Sequence, residues 1–99
     1  MYEVWGDKGF FPTVTVREDW RHWHPQPRML HYHGCSPSAY GDMLRRAQAA
    51  VARNGGRKFI TVGIWNEFYE DGYLEPDLRY GFEYLRRISV VFGPKAEQR

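Results

Sequence analysis

The chain has 99 residues with 14 basic and 12 acidic side chains, which is enough for one small domain with a formal net charge of only +2. The basic residues are spread among the acids, which argues against a nucleic-acid partner, and the single cysteine excludes an internal disulfide. With 42% apolar residues, no apolar run near the ~20 residues of a membrane helix and no signal-peptide pattern at the start, the sequence predicts a folded, cytoplasmic protein without a membrane span.

The first predicted strand is Thr13–Val16, a run of β-branched residues of the kind favoured in strands. Segment 17–35, which follows it, has neither a helical nor a strand period, and a loop of this length in a small domain is usually functional. A helix is predicted to begin at Ser36 and Pro37, because a Ser oxygen can accept from free N–H groups and Pro suits the first helical position. Its apolar residues recur at spacings of three and four until a Gly-Gly pair ends the pattern: Tyr40, Met43, Leu44, Ala47 and Val51.

The second predicted strand, Phe59–Trp65, is almost continuously apolar, which predicts a strand covered on both faces, as in parallel sheets. A polar loop is predicted for residues 66–76. Asp77 is then predicted to cap a final helix that stops at Gly93. The apolar residues assigned to that helix are Leu78, Phe82, Leu85, Ile88 and Phe92.

The order strand, loop, helix, strand, loop, helix predicts an α/β fold with parallel strands and right-handed crossovers. Both loops, 17–35 and 66–76, then project from the carboxyl edge of the sheet, where α/β proteins place their active sites. Two strands and two helices cannot enclose a buried sheet, and a complete (β/α)8 barrel needs about 250 residues. The chain is therefore predicted to be two βα units from the end of such a TIM barrel. Alone, it would expose apolar surface that favours self-association.

The residues best suited to catalysis lie just beyond the second strand, where acids, an amide and several aromatic residues fall within 65–77. Glu67 and Glu70 are three residues apart, so a turn can bring both carboxylates to one pocket. Such a pair keeps one carboxyl protonated as an acid while the other serves as a base, which glycosidic chemistry requires. Trp and Tyr rings suit the C–H faces of sugars. The alternative is that both glutamates are solvated loop acids near a helix start.

A longer pattern surrounds the two glutamates. It consists of Trp65-Asn66-Glu67, Glu70, Tyr73-Leu74-Glu75-Pro76-Asp77, Tyr80-Gly81 and Tyr84-Leu85. This pattern resembles the signature of the WbsX-like glycosyltransferase family, which is related to the family 99 glycoside hydrolases of the endo-α-mannosidase and endo-α-mannanase type. Upstream stretches are also similar to the family: Phe11–Val16, Asp19-Trp20 and Pro27-Arg28. The likeness spans about residues 2–92 and covers only the last part of the family's barrel.

The resemblance implies a (β/α)8 barrel in which residues 1–93 form the C-terminal segment with the last two strands, followed by a disordered tail over 94–99. It also implies a glycan or polysaccharide substrate and a reaction that needs neither a metal nor a cofactor. By resemblance, Glu67 acts as base toward the sugar 2-hydroxyl, and Glu70 acts as acid and then as base at the glycosidic oxygen. The implied reaction is retaining, with the sugar's own oxygen as the attacking group. The sequence leaves glycosyl transfer and hydrolysis as alternatives.

Further residues of these stretches are expected to bind the substrate: Asn66, Trp65, Tyr69, Asp19, Trp20, Arg28 and Glu75. The sequence departs from the usual family pattern within the predicted polar loop: Phe68, Tyr69 and Asp71 stand where Trp, a small residue and Gly are usual. Asp71 is expected to add a third negative charge beside the glutamate pair. It is also expected to strain the turn unless Gly72 takes the unusual backbone angles.

Two other function classes stay open at this point. One is a non-catalytic, truncated barrel fragment that binds a glycan or a partner chain. The other is a metal-binding module in which two His-x-His pairs supply imidazole nitrogens, although their spacing matches no standard zinc pattern. The histidines of these pairs are His22, His24, His31 and His33. Cys35 is predicted to be a small buried residue rather than a nucleophile.

Overall fold

The computed structural model describes residues 11–17, 35–53 and 58–94. The elements in chain order are β1 (Thr13–Thr15), α1 (Pro37–Ala52), β2 (Thr61–Gly63), β3 (Asn66–Glu67), a 3-10 turn (Phe68–Glu70), β4 (Gly72–Tyr73) and α2 (Glu83–Phe92). β1 and β2 pair in parallel, whereas β3 and β4 form a short antiparallel ladder. The described part of the chain is thus an α/β structure, and the predicted parallel pairing of the first two strands is confirmed.

Helix α1 begins where the sequence predicts. The Ser36 hydroxyl accepts a hydrogen bond from the Ala39 N–H at 3.1 Å, and Pro37 occupies the first helical position. The predicted apolar stripe faces the core, with Met43 half-buried and the others buried: Tyr40, Leu44, Ala47 and Val51. The helix ends at Ala52, and the Gly-Gly pair predicted to end it lies outside the described residues.

The hydrophobic core lies between β1 and the two helices. Val14 of β1 and Val16 just after it are almost completely buried and pack against the apolar stripe of α1. Tyr84 of α2 is buried too, and its ring meets the edge of the Tyr40 ring at a centroid distance of 5.9 Å. Neither of the helices in the described ranges is both long enough and apolar enough to cross a bilayer.

The second strand differs from its prediction. β2 is shorter than the apolar run, and the expected burial of both its faces is wrong: Phe59, Val62 and Trp65 are 45%, 38% and 51% exposed. The reason is that α1 and α2 pack on each other, and α1 packs on β1. Phe11 stacks on Phe59 at a centroid distance of 3.8 Å, and both rings are solvent-exposed. The apolar surface expected of a partial barrel is therefore present.

Helix α2 begins five residues later than predicted, at Glu83 in place of Leu78, and the prediction that Asp77 caps it is wrong. The Asp77 carboxylate instead accepts from the Tyr80 N–H and closes a turn, which competes with helix formation. Gly81 then takes a left-handed conformation (φ +57°) that no regular helix contains. Two apolar residues assigned to the helix are consequently exposed: Leu78 and Phe82. The predicted end is confirmed, because α2 stops at Phe92.

Candidate functional site

The predicted polar loop after β2 is an antiparallel hairpin, residues 65–74, which we call the site hairpin. Asn66 lies opposite Tyr73 and Glu67 opposite Gly72, and the Leu74 N–H donates to the Trp65 carbonyl oxygen at 2.8 Å. The hairpin follows the carboxyl end of β2 directly. Ile64 makes the bend between them in a left-handed conformation (φ +52°), which is uncommon for a β-branched residue.

The tip of the site hairpin is the 3-10 turn Phe68–Glu70. Glu67 directly precedes this turn, and Asp71 directly follows it. The Glu67 carboxylate accepts from the Tyr69 N–H at 3.1 Å, and the Asp71 N–H donates to the Phe68 carbonyl oxygen at 3.2 Å. Asp71 itself takes the left-handed conformation (φ +55°, ψ +22°). The left-handed angles of this turn are therefore taken by Asp71 itself and not by Gly72. The turn accommodates Asp71 because aspartate is one of the residues that visit this region.

Gly72 serves close packing instead. A Cβ atom at this position would lie 2.6 Å from Ile64 Cγ2 and 3.0 Å from the Arg17 carbonyl oxygen. The backbone of the site hairpin can therefore approach the ends of both parallel strands only because residue 72 has no side chain.

Gly72→Ala is expected to lower the free energy of unfolding by about 1–3 kcal/mol, because the added methyl overpacks this contact. Urea unfolding would measure it. Gly81→Ala is the control, since a Cβ at Gly81 would meet no atom within 4 Å and its cost comes from the left-handed backbone alone. A loss below about 0.5 kcal/mol at Gly72 would show that the close approach is unimportant.

Arg17, two residues after the end of β1, contacts the site hairpin with its side chain. Its Nε donates to Asp71 Oδ2 at 2.9 Å, and its Nη1 donates to the Tyr84 hydroxyl oxygen at 2.7 Å. Nη2 lies 4.0 Å from Asp77 Oδ2. Asp71 therefore differs from its prediction: its carboxylate is ion-paired with a buried guanidinium and is not an uncompensated third charge beside the glutamates.

Aromatic rings surround this guanidinium. Arg17 Cζ lies 4.5 Å from the centroid of the Tyr73 ring, and that ring stacks with Phe68 at a centroid distance of 4.5 Å. The Tyr73 hydroxyl donates to Asp77 Oδ2 at 3.0 Å, and the Tyr84 hydroxyl donates to the Cys35 carbonyl oxygen. We call this group the Arg17 cluster: Arg17, Asp71, Tyr73, Asp77 and Tyr84.

The surroundings favour the ionised forms of Arg17 and Asp77, since they raise the pKa of the first and lower the pKa of the second. Burial alone would lower the pKa of Arg17, but the charges of Tyr84 and Asp71 outweigh it and raise that pKa. Burial alone would raise the pKa of Asp77, but hydrogen bonds from the Tyr80 N–H and the Tyr73 hydroxyl outweigh it and lower that pKa. Burial also raises the pKa of the Cys35 thiol, which disfavours the thiolate and agrees with its prediction as a packing residue.

Burial raises the pKa of Tyr84 to about 12. Because this folded-state pKa is above the ordinary value of about 10, the folded protein holds the phenol proton more tightly than the unfolded chain does. The free energy of unfolding therefore keeps its full value below pH ~10 and falls by about 2–3 kcal/mol as the pH rises from there through the folded-state pKa. Ultraviolet titration of tyrosinate should show a late step that Tyr84→Phe removes. A late step that persists in this variant would contradict the assignment.

A cleft of about 300 Å³ lies over the Arg17 cluster. Its lining consists of Arg17, Cys35, Asp71, Tyr73, Asp77, Arg79 and Tyr80. Arg17 and Cys35 are the two ends of segment 17–35, and Asp71 and Tyr73 belong to the site hairpin. The predicted meeting of the two loops at one edge of the sheet is thus confirmed for those parts of them that the structure describes.

The predicted site residues fall into three groups. Those on the exposed surface of the site hairpin are Trp65, Asn66, Glu67 and Tyr69, and Glu75 follows the hairpin half-buried. Glu70 ends the 3-10 turn, and its side chain is outside the described part. Those that lie outside the described residues altogether are Asp19, Trp20 and Arg28, with His22, His24, His31 and His33 of the metal alternative. Convergence of the two glutamate carboxylates therefore stays a prediction.

Glu67 does not line the cleft of the Arg17 cluster. Among the residues of 11–17, 35–53 and 58–94, no group of three or more His, Cys, Asp or Glu side chains could hold a metal ion. The chemistry that these ranges offer at the carboxyl edge is therefore that of carboxylates, an amide and exposed aromatic rings.

The sequence prediction missed Arg17, Tyr73 and Tyr84 as parts of the site. A signal for Arg17 was present, because it follows Thr13 and Thr15 at alternate positions and directly precedes the loop at the carboxyl edge. Tyr73 and Tyr84 both stand in the family-like pattern of the sequence, but that pattern does not show which of its members contact Arg17, and the spacing of Tyr84 on α2 is that of an ordinary core residue.

Comparison with protein-family models matches residues 5–88 to the family described as Glycosyltransferase WbsX. The match includes both parallel strands, the site hairpin and every predicted site residue. Searches of the curated proteins and of the solved structures gave no match.

Proposed function

The chain belongs to the glycosyltransferase WbsX family, and we propose that its carbohydrate-active function is exerted at the site hairpin, by glycosyl transfer or glycoside hydrolysis. The observation that supports this most directly is the position of the hairpin. It presents Glu67 and exposed aromatic rings immediately after the carboxyl end of a parallel strand, which is where (β/α)8 enzymes carry their catalytic groups.

The fold proposed for the whole catalytic domain is a (β/α)8 barrel, with residues 1–93 as its C-terminal segment. Two observations support it: the parallel pairing of β1 with β2, and the alternation of these strands with α1 and α2 along the chain. The exposure of Val62 on β2 and of Phe59 just before this strand supports it as well, because further βα units of a barrel would cover these side chains.

The proposed reaction uses Glu67 and Glu70, following the likeness to the family 99 hydrolases. Glu67 takes the proton of the sugar 2-hydroxyl, whose oxygen attacks the anomeric carbon while Glu70 gives a proton to the departing glycosidic oxygen. Glu70 then takes a proton from a water or sugar hydroxyl, whose oxygen attacks the anomeric carbon and opens the intermediate, while Glu67 returns its proton to the sugar 2-oxygen and the anomeric configuration is retained. The exposed Glu67 carboxylate, held by the Tyr69 N–H, is accessible to a substrate.

Substrate binding is proposed for the remaining predicted residues. Trp65 and Tyr69 are more than half exposed, and rings of this kind pack on the C–H faces of sugars. Asn66 offers an amide donor and acceptor to hydroxyl groups. The same role is proposed for Glu75, Asp19, Trp20 and Arg28.

The test incubates the intact protein with α-mannosides and a panel of mixed polysaccharides, and follows the products and their anomeric configuration by NMR. We expect turnover with retained configuration on at least one glycan. Inverted products would contradict the proposed mechanism. Binding of a glycan without any turnover would favour a non-catalytic glycan-binding module instead.

A further inference from the structure

We propose that Arg17 is the positioning residue of the site hairpin, and that its ion pair with Asp71 sets the place of the turn that carries Glu67 and Glu70. The inference rests on the proposed function of these two glutamates. It adds Arg17, which follows β1 and lies 54 positions before Asp71 in the chain. Through this residue the ends of the two parallel strands are connected at the site.

The guanidinium of Arg17 is suited to this role because it is itself held from several sides. Its side chain is 9% exposed, and it donates to the Tyr84 hydroxyl oxygen on α2 as well as to Asp71. Tyr84 in turn donates to the Cys35 carbonyl oxygen, just before α1. The planar fork of Arg is thereby fixed relative to both helices, and little side-chain entropy is left to lose when Asp71 binds it.

Asp71 is the point at which this fixed group acts on the turn. It directly follows Glu70, its N–H closes the 3-10 turn onto the Phe68 carbonyl oxygen, and its backbone is left-handed. A non-glycine residue in this conformation persists when the surroundings hold it there, and the Arg17 ion pair supplies such a constraint. Gly72 adds to this constraint, because its lack of a side chain lets the hairpin backbone lie close to the Arg17 carbonyl oxygen.

A second contact acts on the other side of the turn. The Tyr73 ring lies against the Arg17 guanidinium and also stacks with Phe68, the residue next to Glu67. Arg17 therefore contacts the hairpin through β4 as well as through Asp71. Its described side-chain hydrogen bonds and ion pairs are made with Asp71, Tyr84 and Asp77, and the effect proposed for it on the reaction is exerted through the hairpin.

The test compares Asp71→Asn, which keeps the shape but removes the charge, with Arg17→Met and Arg17→Lys. Amide hydrogen exchange of the intact protein reports on the turn through the N–H groups of Asp71 and Leu74. We expect these amides to exchange about tenfold faster or more in Asp71→Asn and Arg17→Met, with the amides of α1 unchanged. Arg17→Lys should recover part of the protection, because it keeps the cation but not the fork.

The kinetic counterpart is a selective loss in kcat. Misplacement of the glutamates by about 1 Å should lower kcat by about 10- to 100-fold, with KM changed much less, since the exposed rings remain. Asp42→Asn is the matched control, because Asp42 and Arg45 form an exposed ion pair on α1, at 3.3 Å, away from the hairpin. It should alter neither the hairpin exchange nor kcat.

Two outcomes would overturn the inference. One is unchanged exchange at the hairpin amides in Asp71→Asn. The other is an equal rise in exchange over α1 and the hairpin, which would mean that Arg17 stabilises the whole fold without a particular hold on the turn. Failure of the proposed function shows separately, as no turnover by the wild-type protein on any glycan, and the exchange measurement then decides the inference alone.

Discussion

Replacing Glu67 by glutamine is expected to lower turnover by about 10²- to 10⁴-fold and to leave glycan binding largely intact, and the same is expected of Glu70→Gln. The amide has nearly the shape of the carboxyl group but neither accepts nor delivers a proton at neutral pH. The loss should therefore appear in kcat, with KM or the measured dissociation constant little changed. Steady-state kinetics and calorimetric titration on the best glycan of the panel would measure both.

Glu83→Gln provides the matched control for these two variants. Its carboxylate lies on α2 and pairs with Arg86 and Arg87 at 3.6 and 3.9 Å, in the same helical turn and away from the site hairpin. This carboxyl-to-amide change should leave turnover as it is. Equal turnover in wild type, Glu67→Gln and Glu70→Gln would remove the proposed roles of both glutamates.

Tyr84→Ala is expected to lower the free energy of unfolding by about 3–5 kcal/mol. Its side chain is 1% exposed, and its ring meets those of Tyr40 and Tyr80 edge to face at centroid distances of 5.9 and 5.5 Å. Since domains of this kind have a total stability of about 5–15 kcal/mol, the variant should lose a large part of its free energy of unfolding. Urea unfolding followed by circular dichroism would measure the loss.

Tyr84→Phe separates the two contributions of this residue. It keeps the ring but deletes the hydroxyl, and so leaves an Arg17 N–H without its acceptor and the Cys35 carbonyl oxygen without its donor. The expected loss is about 1–3 kcal/mol. A loss in Tyr84→Phe as large as that in Tyr84→Ala would assign nearly all the effect to the polar network. No loss in Tyr84→Phe would mean that the network does not stabilise the fold.

Elements with local determinants were predictable from the sequence. The start of α1 depends on Ser36 and Pro37 alone, and its buried face on the spacing of a single stripe, so both were predicted correctly. The start of α2 was not, because an Asp can cap either a helix or an isolated turn, and Asp77 does the second. The burial of β2 could not be predicted from its apolar run, since burial depends on which elements cover the strand.

The candidate site divides in the same way. The position of Glu67 in a loop directly after a parallel strand follows from local order and topology, and the sequence predicted it, whereas it placed the exposed Trp65 in a buried strand. The Arg17–Asp71 pair joins residues far apart in the chain and depends on a left-handed turn, so no local pattern contains it. What Asp71 does in place of the usual Gly became apparent only through that distant partner.

The two-stranded parallel sheet has a consequence for how the proposed domain would assemble. Within the described residues, β2 has β1 on one side only, and in an eight-membered ring its other neighbour is the very first strand. Ring closure would then take place at the strand from which the site hairpin emerges. Completion of the tertiary structure and maturation of the catalytic centre would be a single event, so an unclosed intermediate would be inactive during biosynthesis.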